Sequence, residues 1–290
     1  MGRLPAWFKQ AIPTKTTMDT ARIISGSGIH TVCREAKCPN INTCYANKTA
    51  TFLILGDTCT RNCRFCAVAK LEENRVLKLD ADEPLRTAEA VKELGLDYVV
   101  ITSVTRDDLD DGGAEIFATT IESIRMISKK IKIEVLIPDF DGKISSLKTV
   151  LEAGPDCIGH NIETVKRLYR EIRPEANFER SLKVLRQIKA IEPLMVSKSS
   201  IMLGMGETGH EVEEAMRELR LSGCDILTLG QYLAPSKAHF PVKEFISPER
   251  FDVYRETGYS LGFKAVLSGP LVRSSYQAEK TFCEANLCTI

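Results

Sequence analysis

Thr51-Phe52-Leu53-Ile54-Leu55-Gly56-Asp57-Thr58-Cys59-Thr60-Arg61-Asn62-Cys63-Arg64-Phe65-Cys66 carries a strand and three cysteines in one stretch. The run 51–55 is short, apolar and rich in strand formers, and Gly56-Asp57 ends it. Cys59, Cys63 and Cys66 therefore lie on a loop at the C-terminal end of a β-strand, where α/β proteins gather their chemistry. Three thiolates spaced CxxxCxxC suit an iron–sulfur cluster, since thiolate is the soft ligand iron prefers. Three protein ligands for four irons leave one iron open to a small molecule. A structural zinc site would close its shell and would normally pair two CxxC units. The bland alternatives are such a zinc site or buried, unliganded thiols.

A second triplet precedes this one. Cys33, Cys38 and Cys44 follow a CxxxxCxxxxxC pattern within Thr31–Cys44. Six of the ten cysteines fall between residues 33 and 66. That is metal-site clustering rather than a disulfide framework, and thiolate ligands require a reducing compartment. The expected location is the cytoplasm, or an organellar matrix if a transit peptide has been removed. Lys+Arg 39 balances Asp+Glu 39, so nothing in the charge total points to nucleic acid or to an anionic membrane. No apolar run approaches the roughly 20 residues of a membrane helix. The start, Met1 to Lys9, has no signal-peptide core, and Met1-Gly2 does not complete a myristoylation motif.

Residues 1–50 show little periodicity, and Pro5, Pro13 and the Thr14–Thr20 run suggest an extended arm. From residue 51, strand and helix alternate. Strands are expected at 51–55, 98–103, 131–137, 157–160, 195–203 and 226–229. Helices are expected at 84–94, 114–130, 145–153, 178–191, 211–221 and 248–261. Such alternation implies parallel strands joined by right-handed crossovers. Six strands are too few for a closed eight-fold barrel, and a doubly wound open sheet fits the count as well. With no repeat or linker, the chain reads as one catalytic domain, 51–265, with extensions at 1–50 and 266–290.

Other stretches are less specific. Ser103 to Ala114 ends the second strand with Gly112-Gly113, which permits close backbone approach; its bland reading is a loop with an Asp cap. His160-Asn161-Ile162-Glu163 ends the fourth strand. Its Asn and Glu suit ribose hydroxyls or an ammonium group, while His160 reads as structural. Arg173 can clamp a carboxylate, although a lone Arg is more often a surface charge. Met202 to Thr208 is glycine-rich but lacks GxGxxG and the Walker Lys, which argues against a phosphate loop. Ser268 to Tyr276 reads as a loop before a polar tail. Cys157 and Cys224 read as buried thiols, and Cys283 and Cys288 as tail residues without a role.

Taken in this order, the motifs resemble the lipoyl synthase family of radical S-adenosylmethionine (SAM) enzymes. The resemblance runs from about Arg3 to Tyr276. It rests on both cysteine spacings, on Glu35-Ala36-Lys37-Cys38-Pro39-Asn40, Gly230-Gln231-Tyr232-Leu233-Ala234-Pro235 and Ser268-Gly269-Pro270-Leu271-Val272-Arg273, and on Arg273-Ser274-Ser275-Tyr276. The chain has Thr43-Cys44-Tyr45 where the family usually has Glu-Cys-Trp, which keeps the cysteine and alters one packing contact.

The resemblance implies a partial (β/α)6 TIM-type barrel with two 4Fe–4S clusters and SAM. Cys59, Cys63 and Cys66 would hold the SAM cluster. Cys33, Cys38 and Cys44 would hold the auxiliary cluster, with Ser275 as an oxygen fourth ligand. Phe65, Ser103, Asn161, Glu163 and Arg173 are the expected cofactor contacts. The implied reaction begins with reductive cleavage of SAM to a 5′-deoxyadenosyl radical. The radical takes hydrogen from a protein-bound octanoyl chain, and sulfur from the auxiliary cluster enters at C6 and then C8. Implied partners are octanoylated lipoyl-carrier domains or the glycine cleavage carrier protein, a low-potential electron donor and iron–sulfur assembly or carrier proteins. The alternative is a radical SAM enzyme whose second cluster only relays electrons or binds substrate. A serine ligand argues against it, because a relay cluster would keep four thiolates.

Overall fold

A computed structural model describes residues 4–72 and 75–286. Met1-Gly2 and Cys288, both considered above, lie outside them. The chain divides into two compact units, one of Gln10–Asn62 with Ala67–Ile158, the other of 4–9, Cys63–Cys66 and 159–286.

The first unit holds α1 (Lys15–Gly26), β1 (His30–Thr31), α2 (Val32–Glu35), α3 (Ile41–Ala46), β2 (Thr51–Ile54), β3 (Thr58–Cys59), β4 (Ala69–Lys70), α4 (Glu83–Leu94), β5 (Tyr98–Ser103), α5 (Ala114–Ile127), β6 (Lys132–Leu136), α6 (Ile144–Glu152) and the start of β7 (Cys157–Gly159). β2, β5 and β6 pair in parallel, with Ile54 opposite Ser103 and Tyr98 opposite Lys132. β1 lies antiparallel on β2. Every residue of β2 is buried, as expected of a strand covered on both faces. α4 begins with Pro84 in its first turn and stops at Gly95, whose φ of 67° no β-carbon-bearing residue adopts cheaply.

Residues 14–26 differ from expectation. Instead of an extended arm, Thr14 and Thr17 form a reciprocal capping box that starts α1. Thr20 Oγ1 donates to the Tyr45 carbonyl (2.9 Å), and Thr17 Oγ1 to that of Asn42 (3.3 Å). These bonds dock α1 on α3. Threonine's weak helix propensity hid the helix, and tertiary contacts override it. Tyr45, one of the two residues that depart from the pattern quoted above, is buried, with its hydroxyl 3.2 Å from Thr31 Oγ1.

The second unit holds α7 (Tyr169–Ile172), α8 (Phe178–Ile191), β8 (Val196–Leu203), α9 (Gly209–Leu221), β9 (Ile226–Gln231), α10 (Pro248–Ser260), β10 (Ala265–Gly269) and α11 (Ala278–Asn286). β8, β9 and β10 run parallel, with Lys198 and Ala265 both opposite Ile226. α8 starts where Asn177 Oδ1 accepts from Arg180 N (2.9 Å), and it buries Phe178, Leu182, Leu185 and Ile188 along one face. β10 is an addition to the expected strands, and α11 replaces the expected polar tail. Both are short; β10 ends in Ser268-Gly269 and α11 is mostly polar, so their pattern reads as loop. Cys157 and Cys224 are fully buried, as expected.

Candidate cluster and cofactor site

In the first unit, the end of β2 is held open for the cysteine loop. Leu55 and Gly56 take φ of 68° and 85°, turning two successive N–H groups the same way. Both donate to the buried Glu83 carboxylate, at 2.6 and 3.1 Å. Burial raises this carboxyl's pKa, against the lowering effect of those two bonds. β3 then carries Cys59, whose carbonyl accepts from Leu71 N at 2.9 Å. Cys59 Sγ lies 3.4 Å from the N–H nitrogens of both Arg61 and Thr105. Arg61 itself is buried and forks onto Asp107 through Nε (2.7 Å) and Nη2 (2.9 Å), with Nη2 also 2.6 Å from Asp139. Ser103 ends β5, and its Oγ is buried with no partner among the described residues.

Gly112 and Gly113 have a packing role. A Cβ on either would collide with Phe140 or Leu55, and Asp111 caps the start of α5 by accepting from Gly113 N and Glu115 N, each at 2.8 Å.

The earlier triplet lies on α2, the turn after it, and α3. Cys33 is buried, and Cys38 and Cys44 are half-buried. Lys37, at φ 51°, lets Cys38 N reach the Cys33 carbonyl (3.1 Å). Burial pushes the Cys33 thiol up to about 12, and the neighbouring Cys38 and Cys44 add to it. Burial likewise pushes Cys44 up to about 11, with Cys38 adding. The three sulfurs thus lie within electrostatic reach of one another, in a place where thiolates need a cationic partner. An iron cluster meets that need. Among the described residues, no three His, Cys, Asp or Glu side chains converge on a single-ion position.

In the second unit, Cys63-Arg64-Phe65-Cys66 forms a turn, with Cys66 N donating to the Cys63 carbonyl (3.2 Å) and Phe65 half-buried. Arg64 N reaches the Ile172 carbonyl, and the Arg64 carbonyl accepts from Phe240 N, both at 2.9 Å. His239 Nε2 lies 3.2 Å from the Cys66 carbonyl. Asn161, Glu163 and Arg173 come together beside this turn. Glu163 has φ 64° and is locked by backbone bonds to Ser200 (3.0 Å) and Met202 (2.8 Å) of β8. Asn161 Nδ2 donates to Glu163 Oε1 at 2.9 Å. Desolvation raises the Glu163 pKa, while the Arg173 and Arg273 charges and the Asn161 bond oppose that rise.

Arg173 is half-buried and bonded within the protein. Its Nη1 donates to the carbonyls of Asn161 and Ile162 (3.1 Å each) and to Tyr169 OH (2.8 Å), and the Cys63 sulfur helps hold it charged. Asn161 Oδ1 and Arg173 Nε are nevertheless buried without a partner among the described residues. Such an acceptor and donor, beside a carboxylate, fit a small ligand carrying ammonium, carboxylate and hydroxyl groups. SAM carries all three. The Met202–Thr208 loop needs no phosphate, because Glu207's carboxylate takes the Gly204 and Met205 N–H groups.

Ser275 is half-buried in a turn where Tyr276 N donates to the Arg273 carbonyl (3.0 Å). Gly230 on β9 makes room for this segment, since a Cβ there would run into the Val272 carbonyl. Buried Gln231 saturates its amide, donating to Leu203, Tyr232 and Glu244 and accepting from Ile246 N. The sequence reading missed Glu83, Arg61, Asp107 and Asp139. The one available signal was a charged residue inside a cysteine loop.

Residues 53–219 match the radical SAM superfamily. The chain is 54% identical to a lipoyl synthase of Caldicellulosiruptor bescii, over 96% of this chain and 94% of that one. It is 49% identical to a lipoyl synthase of Thermus thermophilus, over 97% and 87%. Among solved structures, methylornithine synthase superposes with a TM-score of 0.55 at 17% identity, covering 88% of this chain and 79% of its own.

Proposed function

The chain belongs to the lipoyl synthase family of radical SAM enzymes, and from that premise we propose that it inserts two sulfur atoms, at C6 and C8, into an octanoyl chain carried on a lysine of a lipoyl-carrier domain. Its fold class is the partial (β/α)6 barrel of the superfamily, not the doubly wound sheet. The observation that carries the reading is the second thiol triplet: Cys33, Cys38 and Cys44 are mutually interacting thiols, with Cys33 and Cys44 raised by burial, in a chain that already has the CxxxCxxC loop.

When bound, one 4Fe–4S cluster with SAM supplies a 5′-deoxyadenosyl radical, and a second supplies sulfide. Cys59, Cys63 and Cys66 are the ligands of the first. Cys33, Cys38, Cys44 and Ser275 are those of the second, so residues 1–50 and 266–290 act as extensions that complete a core of 51–265. Asn161 and Arg173 orient SAM through Oδ1 and Nε, which are buried without a partner among the described residues, with the Glu163 carboxylate beside them; Ser103 offers a hydroxyl, and Phe65 offers an apolar wall. No side chain is required to start the reaction by taking a proton. The partners are an octanoylated carrier protein, a low-potential electron donor and proteins that deliver iron–sulfur clusters, in a reducing compartment. No described helix is long and apolar enough to cross a membrane.

The test is anaerobic incubation of the reconstituted protein with an octanoylated carrier peptide, SAM and dithionite, followed by mass spectrometry. The expected product carries two added sulfurs. SAM cleavage with an unchanged octanoyl peptide would overturn the assignment.

A further inference from the structure

Cys59 Sγ receives two backbone N–H groups, from Arg61 and Thr105, each at 3.4 Å. The donors come from two loops, one following β3 and one following β5. Nothing in the strand pairing fixes those loops to each other; one backbone bond and several side-chain bonds do. Thr60 N and Oγ1 both donate to the Thr105 carbonyl (3.0 and 2.9 Å), and Asp107 N donates to Thr60 Oγ1 (3.1 Å). Over this lies the Arg61 fork on Asp107, continued to Asp139. Arg61 is 5% exposed and the Asp139 side chain 1%, so the Arg61–Asp139 half of the arrangement is desolvated, while the bidentate fork on Asp107 fixes its geometry.

We propose that Arg61, with Asp107 and Asp139, is a positioning group that holds these two N–H donors on the Cys59 sulfur and so sets the reduction potential of the cluster bound there. This rests on the reading of Cys59 as a ligand of the SAM cluster. Donors to a ligating sulfur stabilise the added electron of the reduced cluster, and their loss makes reduction harder. Arg61→Lys keeps the charge but loses the fork. Asp107→Asn keeps the shape but removes a negative charge. Asp107 is 40% exposed, which makes it the safer substitution than Asp139, whose partner would be left as a buried, half-paired charge.

The test uses the full chain carrying Cys33→Ala, Cys38→Ala and Cys44→Ala, so that only the Cys59 cluster is observed. Iron is counted first; about four irons per chain supports the ligand reading, and none would overturn that reading and this proposal with it. The potential is then measured by a redox titration followed by electron paramagnetic resonance. Both Arg61→Lys and Asp107→Asn should shift it to more negative values. Iron retention against a chelator at equilibrium should weaken by about tenfold or more, the usual loss of affinity on removing an outer-shell partner. A purely electrostatic role predicts the opposite sign for Asp107→Asn, since losing a negative charge eases reduction. An unchanged potential in Arg61→Lys, or a raised one in Asp107→Asn, would overturn the proposal.

Discussion

At the scale of single residues, the thiols and Ser275 carry the account. Cys33 and Cys44 are held protonated well above neutral pH by burial, so a cluster must displace protons as it binds. Assembly at this triplet should therefore release protons and improve as the pH rises from about 7 to 9. Iron incorporation in the Cys59→Ala/Cys63→Ala/Cys66→Ala variant, followed over that range, checks this; incorporation that falls with pH would refute it. Ser275 admits a sharper substitution. An oxygen ligand binds iron less well than thiolate, which suits a cluster that gives up sulfide. Ser275→Cys should load both clusters and cleave SAM, yet lose most lipoyl product, with Ser274→Ala as the control. If Ser274→Ala fails while Ser275→Cys keeps wild-type yield, the ligand is the other serine.

At the scale of elements, two contacts make predictions. Gly230 lets the Val272 carbonyl approach β9. Gly230→Ala should cost about 1–3 kcal/mol through overpacking and, by displacing the turn that carries Ser275, lower iron at the auxiliary site. Chemical denaturation and iron counting read the two effects, and neutrality in both would remove the close approach from the account. At the start of α9, Glu211 accepts from Thr208 N (2.8 Å) and from Arg167 Nε (2.6 Å), with Thr208 Oγ1 at 3.0 Å. Led by Arg167, these partners hold its pKa down to about 2, below the ordinary 4.5. The stabilisation is complete above pH 4.5 and is lost as pH falls toward 2. Glu211→Gln should cost about 1 kcal/mol at pH 7, and its thermal midpoint should converge on wild type only as the pH reaches about 2. A gap that persists there would contradict the cause given.

At the scale of the whole molecule, what could be read from sequence follows the physics of each part. The βα alternation was legible because buried parallel strands are continuous apolar runs and helices show a 3.6-residue stripe. α8, for example, was bounded at Phe178 and Ile191 as observed. α1 was not legible, since threonines signal its cap and its docking but not its helicity. The Arg273–Tyr276 turn was also hidden, because the approach of Val272 that leads into it depends on a missing side chain on β9, Gly230. Within the site, cysteine spacing is local and could be read directly. The Arg61–Asp107–Asp139 clamp joins residues up to 78 positions apart, and no local pattern records it.

The central claim is a division of labour between two cysteine triplets, and the most direct test removes each in turn. Wild type, Cys33→Ala/Cys38→Ala/Cys44→Ala and Cys59→Ala/Cys63→Ala/Cys66→Ala are reconstituted anaerobically, and iron, 5′-deoxyadenosine and lipoyl product are measured together. The account predicts about eight irons per chain for wild type and about four for each variant. The first variant should still form 5′-deoxyadenosine but insert no sulfur, and the second should form neither product. Lipoyl product at wild-type yield from the first, or undiminished 5′-deoxyadenosine from the second, would contradict it.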